Sequence, residues 1–390
     1  MIDVPAGLAK LCLGVTLGFL FLGVVQAEEK VEVKRGPRFS TLPACASPHP
    51  LEVCERAVTA DRAEAILRAA PQQALSYGQH DQTIDIVFKT PDTDFVFGEA
   101  PYLCCDLQTY LRPVAAGLWG ISIEAPKLSA AVLSIWIANL TNGASPHLGF
   151  RGPDATHPLV RQGGALAPVR RTIDSRHLKE KRDIYEFKGR LCEHSLARCK
   201  VLYLADGRQF ADFLNNSPSP AARRALHRMV IVGISNPSND GNFGEKRASE
   251  LLAHAGDDLE FRAFERFVTE EVIPFVEPTP VPRTARSVGG WSNGGAWALS
   301  IILDHDDLFG SALAFSNGVW RPPSGAMVRK DTKVKFGGGT LERSRQKYEI
   351  DVRKVAATGA SVDELYVEGG HSTSTWNALF WWAISSPAIK

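Results

Sequence analysis

An excess of charge of either sign is missing from this chain: 44 basic residues stand against 43 acidic ones over 390 residues, a formal net charge of +1. That balance leaves no electrostatic footprint for nucleic acid, and the nearest thing to a basic cluster, Arg170-Arg171, reads as a solvated pair. A phosphate-cradling glycine loop is also absent, as is any internal repeat. The apolar run Leu11 to Val25 is shorter than the roughly 20 residues a membrane-spanning helix needs. Lys10 precedes it and Val25-Gln26-Ala27 supplies small residues before Glu28, so residues 1–27 read as a cleaved secretory signal, with an uncleaved anchor as the alternative. The mature chain is therefore expected to be periplasmic or secreted, with no membrane span. Cys12 leaves with the signal and has no small residue after it, so it does not suggest a lipid-modified cysteine.

Six cysteines remain: Cys45, Cys54, Cys104, Cys105, Cys192 and Cys199. An even number in an exported chain favours disulfides, and close spacing points to Cys45–Cys54 and Cys192–Cys199 as loop staples. The adjacent Cys104 and Cys105 either bridge each other or pair elsewhere. Zinc would need a His/Cys cluster with repeated ligand spacing, and none is visible; no metal or organic cofactor is expected.

What is present is a glycine-pinched serine, Gly290-Trp291-Ser292-Asn293-Gly294. It fits the G-x-S-x-G elbow, in which a serine occupies a sharp turn between a strand and a helix. Ala285–Gly289 can form the strand, and Gly295–Leu303 reads as a buried helix of small and apolar residues. In this architecture the acid and then the histidine follow the serine. The strand-like run 332–336 leads to Glu342, and the run 364–368 leads to His371, so both lie past strand C-termini, where open α/β sheets build their sites. His371 would act as base then acid, and Glu342 would fix its tautomer. Glu349, Asp351 and Asp363 are nearby alternatives for the acid; the first two are expected inside the following helix and the third before its strand. One oxyanion donor is expected to be the N–H of Asn293, the other that of Gly207 or Arg208 after the strand 201–204. Asp206 reads as a brace for that loop, and Arg247 and Glu250 as a structural pair or surface charges.

A chain of this length suggests two domains. Residues 28–75 are mixed and proline-containing, with a helix expected from Leu51 to Ala70. Short β-type runs at 84–88, 118–123 and 132–137 suggest a small β-sandwich, and the Gly/Pro/Arg-rich stretch 142–172 reads as a linker. Beyond it strands alternate with helices such as 259–277, which predicts an α/β class domain with a mostly parallel sheet flanked by helices. The expected divisions are 1–27, 28–75, 76–172 and 173–390.

From about Ile173 to Trp376 the chain resembles the enterochelin (trilactone siderophore) esterase and esterase D-like branch of the α/β-hydrolases. The residues that carry this are Val201–Gly207, Ile231–Ile234 with Arg247–Leu251, Glu271–Phe275, the elbow, Leu308–Gly310 with Phe315-Ser316, Gly339–Glu342, and Gly370-His371 with Trp376. Asn293 stands where a methionine is usual, and a third glycine precedes Thr340. The resemblance implies an α/β-hydrolase fold behind an immunoglobulin-like N-terminal β-sandwich. It also implies a serine ester hydrolase acting on a small-molecule ester, with a ferric catecholate siderophore leading. An acetyl- or feruloyl-esterase of polysaccharide and an inactive hydrolase-fold binding protein are the alternatives. An anionic siderophore would call for cations near the serine, and Arg208, Lys246, Arg247 and Arg321 are the candidates.

Overall fold

The eight strands of the larger sheet are β1 (Val169–Ser175), β2 (Glu180–Lys188), β3 (Lys200–Leu204), β4 (Met229–Ile234), β5 (Arg286–Trp291), β6 (Ser311–Phe315), β7 (Lys333–Gly339) and β8 (Ser361–Val367). Their spatial order is β1-β2-β4-β3-β5-β6-β7-β8. β2 runs antiparallel to both β1 and β4, and every later pairing is parallel. This computed structural model describes residues 42–46, 52–91, 95, 99–161, 163–237, 243–253 and 258–385. The expected signal segment 1–27 lies outside them.

The central strands have apolar residues on both faces because helices cover both faces. Val201 and Tyr203 of β3 join one core with Val230, Val232 and Val288. Leu202 and Leu204 point the other way, to Ile231, Leu313 and Phe315. On the first face lie the helical stretch 259–276, α1 (Asn293–Asp304) and α2 (Arg345–Ala357); on the second lies α3 (Thr373–Ser385). Among the described residues no helix is long and apolar enough to cross a membrane.

Ahead of this sheet, two antiparallel sheets face one apolar core. One combines Cys54–Arg56, Leu75–His80, Thr83–Lys89, Arg112–Ala115 and Leu118–Glu124; the other combines Tyr102–Cys105, Thr109–Tyr110, Val132–Ile137 and His147–Arg151. Ile84, Ile86, Ile121 and Ile123 of the first sheet meet Leu103, Leu133, Ile135 and Phe150 of the second. The same core takes in one residue from far downstream, Leu341.

Several expectations need correction. The helix foreseen over 51–70 is confined to Ala60–Ala69, started by the Thr59 side chain accepting the Arg62 N–H. The residues before it form the strand Cys54–Arg56, paired with Leu118–Glu124 and stapled by the Cys45–Cys54 disulfide. The stretch expected to be a linker holds the sandwich strand His147–Arg151 and the start of β1. There, glycine and proline interrupt paired strands rather than replace them. Disulfides also join Cys192–Cys199 and the neighbours Cys104–Cys105, so the vicinal alternative is the one adopted.

Candidate active site

β5 delivers the serine. Ser292 has φ 55° and ψ −126° between β5 and α1, a backbone state that costs a non-glycine residue about 1–3 kcal/mol and persists where its surroundings impose it. Those surroundings are explicit. Its N–H donates to the Phe315 carbonyl at 3.0 Å, and its carbonyl accepts the Gly318 N–H at 2.7 Å. Glycine two residues before is obligatory on space alone, since a Cβ at Gly290 would lie 2.5 Å from the Gly294 carbonyl carbon.

Glu342 and His371 meet. His371 Nδ1 lies 2.8 Å from Glu342 Oε2, at the ends of β8 and β7 respectively. Glu342 is 1% exposed and accepts further hydrogen bonds from the Ser316 hydroxyl (2.6 Å), the Gly339 N–H (2.6 Å) and the Tyr348 hydroxyl. Burial works to raise its pKa, but the charge of His371 and the donors from His371, Ser316 and Tyr348 together hold it below the ordinary glutamate value. Trp376 ties both sides together. Its indole stacks on Trp291 (5.8 Å, 17°), meets the His371 ring edge-on (5.1 Å) and donates to Ser316 Oγ (3.0 Å). The neighbour of the serine and the histidine thus pack on one indole.

The alternative acids are elsewhere. Glu349 is paired with Arg345 on the surface of α2 at 2.8 Å. Asp351 is buried on the same helix between Lys347, Lys354 and Asn317. Asp363 sits within β8, not before it, and reaches Lys335 at 3.8 Å.

Asn293 opens α1, so its N–H belongs to the first turn, whose donors have no partner within the helix. The loop after β3 touches the elbow: a Cβ at Gly294 would lie 3.0 Å from Asp206 Oδ2 and 3.1 Å from Ala205 Cβ. Gly207 begins a tight turn over 207–209 packed so closely on β4 that a Cβ would come 2.0 Å from Gly233 Cα. Asp206 (φ 57°) braces this turn by pairing with Arg247 at 2.5 and 2.6 Å. Glu250 turns away to Arg182 (2.7 Å), so Arg247 and Glu250 do not pair with each other. Of the four cations expected near the serine, Lys246 is paired with Glu180 and Arg247 with Asp206. Arg208 and Arg321 are exposed.

Sequence reasoning gave no role to Ser316, Tyr348 or Asp106. Ser316 (φ 45°) and Tyr348 hold Glu342; the only hint of them was Ser316 at a strand end and Tyr348 on the inner face of the next helix. Asp106 is fully buried beneath the histidine loop, with the His371 N–H donating to its carbonyl at 3.1 Å. Burial pushes its carboxyl pKa up to about 7, with Glu342 adding to the rise and contacts to Ser372, Ser134 and Gly370 opposing it. Ser372 lies close, yet neither its hydroxyl nor Asp106 Oδ1 completes a hydrogen bond.

Residues 187–357 match the family model named Esterase. No curated protein matches the chain. Among solved structures, the enterobactin esterase of Shigella flexneri, in the presence of enterobactin, is similar at 16% identity and TM-score 0.56, over 81% of this chain and 96% of that one. The ferric enterobactin esterase of Salmonella typhimurium is similar at 16% identity and TM-score 0.52, over 84% and 98%. The family match covers less than half of the chain, the part that holds the serine elbow, and supports an ester hydrolase. The structural likeness gives it a two-part fold, an α/β-hydrolase sheet behind a smaller β-domain, shared with these solved proteins.

Proposed function

With ester hydrolysis as the premise, we propose that Ser292, His371 and Glu342 form the catalytic triad of an exported serine esterase that cleaves a ferric catecholate siderophore ester. The observation that carries the triad is the 2.8 Å contact between His371 Nδ1 and a buried, four-fold hydrogen-bonded Glu342. With Nδ1 committed to the acid, Nε2 is the nitrogen left to take the Ser292 proton. Ser292 Oγ attacks the ester carbonyl, and the N–H groups of Asn293 and of Gly207 or Arg208 receive the oxyanion. His371 then protonates the leaving alcohol, and water, activated by the same imidazole, releases the acyl group. Glu342 stays ionised throughout and stabilises the imidazolium.

Export is supported by the apolar run at 11–25 and by three disulfides, which persist in oxidising compartments. The siderophore assignment is supported by the solved relatives, which are enterobactin esterases covered along nearly their whole length. Arg208, exposed on the oxyanion loop, and Arg321 are the cations left to attract an anionic ferric complex. The test is hydrolysis of p-nitrophenyl esters, followed by a panel of ferric catecholate, feruloyl and acetyl-xylan esters. Ferric catecholates should be cleaved fastest, with an efficiency that falls as salt rises and falls again in Arg208→Ala. Faster cleavage of feruloyl or acetyl-xylan esters would replace the siderophore with a polysaccharide ester.

A further inference from the structure

We propose that Asp106, a residue of the β-sandwich, is a positioning residue for the histidine of the hydrolase half, so that the sandwich is part of the catalytic apparatus rather than an appendage. This rests on the reading of His371 as the catalytic base. Three contacts between the halves converge on the loops that carry the acid and the histidine. Leu341, next to Glu342, is buried in the sandwich core. The Val132 N–H, at the start of a sandwich strand, donates to the Glu368 carbonyl at 3.1 Å, and Val132 bridges to Gly369. The Asp106 carbonyl accepts the N–H of His371 itself.

Asp106 is well fixed for this task. It follows Tyr102–Cys105, a strand paired with Val132–Ile137 through Leu103–Ile137, Cys104–Trp136 and Cys105–Ile135. One oxygen of its carboxyl group accepts the Ser134 N–H from that neighbouring strand. Its outer surface fits the histidine loop so closely that a Cβ at Gly370 would lie 2.4 to 2.6 Å from the Asp106 oxygen, Cβ and carbonyl carbon. A fully buried carboxyl group with one oxygen left unpartnered is costly, and hydrophobic packing alone would be served better by an apolar side chain. Here its main chain holds the backbone of His371 while Glu342 holds the ring, so the imidazole is fixed from two sides, one in each half. A displacement of about 1 Å at such a group costs on the order of 100-fold in rate.

The test uses the full chain. In Asp106→Ala, which removes the carboxyl that ties this main chain to Ser134, kcat per active site, with sites counted by exhaustive fluorophosphonate labelling, should fall roughly 10- to 100-fold while KM stays within about twofold. Amide exchange in the peptide spanning 368–373 should accelerate, and that in the elbow peptide 289–295 should not. A loss of folded protein alone would lower the site count and leave kcat per site unchanged. Gly370→Ala retains the Asp106 carboxyl but places a Cβ against the main chain of residue 106 and pushes the loop off it; it should reproduce the kcat loss and decides the matter if Asp106→Ala does not fold. Wild-type kcat per site, or unchanged exchange at 368–373, in a folded variant overturns the proposal. If the wild-type enzyme hydrolyses no ester, the esterase reading fails, and the exchange measurement alone decides whether Asp106 positions this loop.

Discussion

The serine side and the histidine side of this site are held by different parts of the chain. The elbow is self-sufficient. Ser292 is fixed by Phe315 and Gly318, both from the hydrolase half, and its helix is buried among Phe264, Phe267 and neighbouring β-strand residues. The loops of Glu342 and His371 lean on the sandwich through Leu341, Val132 and Asp106. A nucleophile can be built by local rules, because strain at a strand–helix junction needs only small neighbours. An acid–base pair that must meet from two separate strand ends needs an outside reference surface, and the sandwich supplies it.

The largest losses are expected where bonds are made and broken. Ser292→Ala should remove nearly all turnover, on the order of 10⁶-fold in kcat, leaving the residue contributed by oxyanion donors and binding, with no change in melting. Glu342→Gln should follow at about 10⁴-fold, because the amide fixes the wrong tautomer and cannot stabilise the imidazolium. Initial rates on a p-nitrophenyl ester measure both. Turnover near wild type in folded Ser292→Ala would remove the serine. A far larger loss in Asp351→Asn than in Glu342→Gln would move the acid.

The same division governed what could be read from the residues. The elbow was legible because its constraints are contiguous: glycines at 290 and 294, a strand before and a helix after. The placing of Glu342 and His371 past neighbouring strand ends was legible because each follows by a few residues a strand that alternates or ends in glycine. The brace was not legible. Ser316 reaches Glu342 from 26 residues away and Asp106 reaches His371 across the two halves, and no local spacing encodes that. The helix expected over 51–70 failed for a related reason, since pairing with Leu118–Glu124 and a disulfide turned its first part into a strand. Tertiary pairing overrode local propensity.

Leu341→Ala separates the acid side from the serine side at a smaller scale. Removing a fully buried leucine from the sandwich core should cost roughly 2–5 kcal/mol of stability, read by denaturant unfolding. With residue 342 as the proposed acid, kcat at a temperature where the variant is fully folded should fall as well, by about tenfold if the loop shifts a fraction of an ångström. Loss of stability with kcat untouched would mean that the sandwich supports the fold and leaves the acid indifferent.

The smallest effect is the most diagnostic of the brace, and it concerns pH. In the folded protein the Asp106 carboxyl keeps its proton up to about pH 7, chiefly because it is buried, whereas its ordinary value is 3.8. Between those two values the unfolded chain binds fewer protons than the native one, so stability falls as pH rises. The contribution is therefore fully present below about pH 4 and is lost progressively as pH climbs through 7. Asp106→Asn has nothing to titrate at this position, while Glu342 and His371 are common to both proteins and largely cancel in the difference. The stability of wild type minus that of Asp106→Asn should accordingly be greatest near pH 4 and decline towards pH 8, measured by denaturant unfolding across that range without reductant. A flat difference would place Asp106 in a solvated setting, and a rising one would mean that its ionised form is the partnered one. Either result would remove the picture of a buried acid held against the histidine loop.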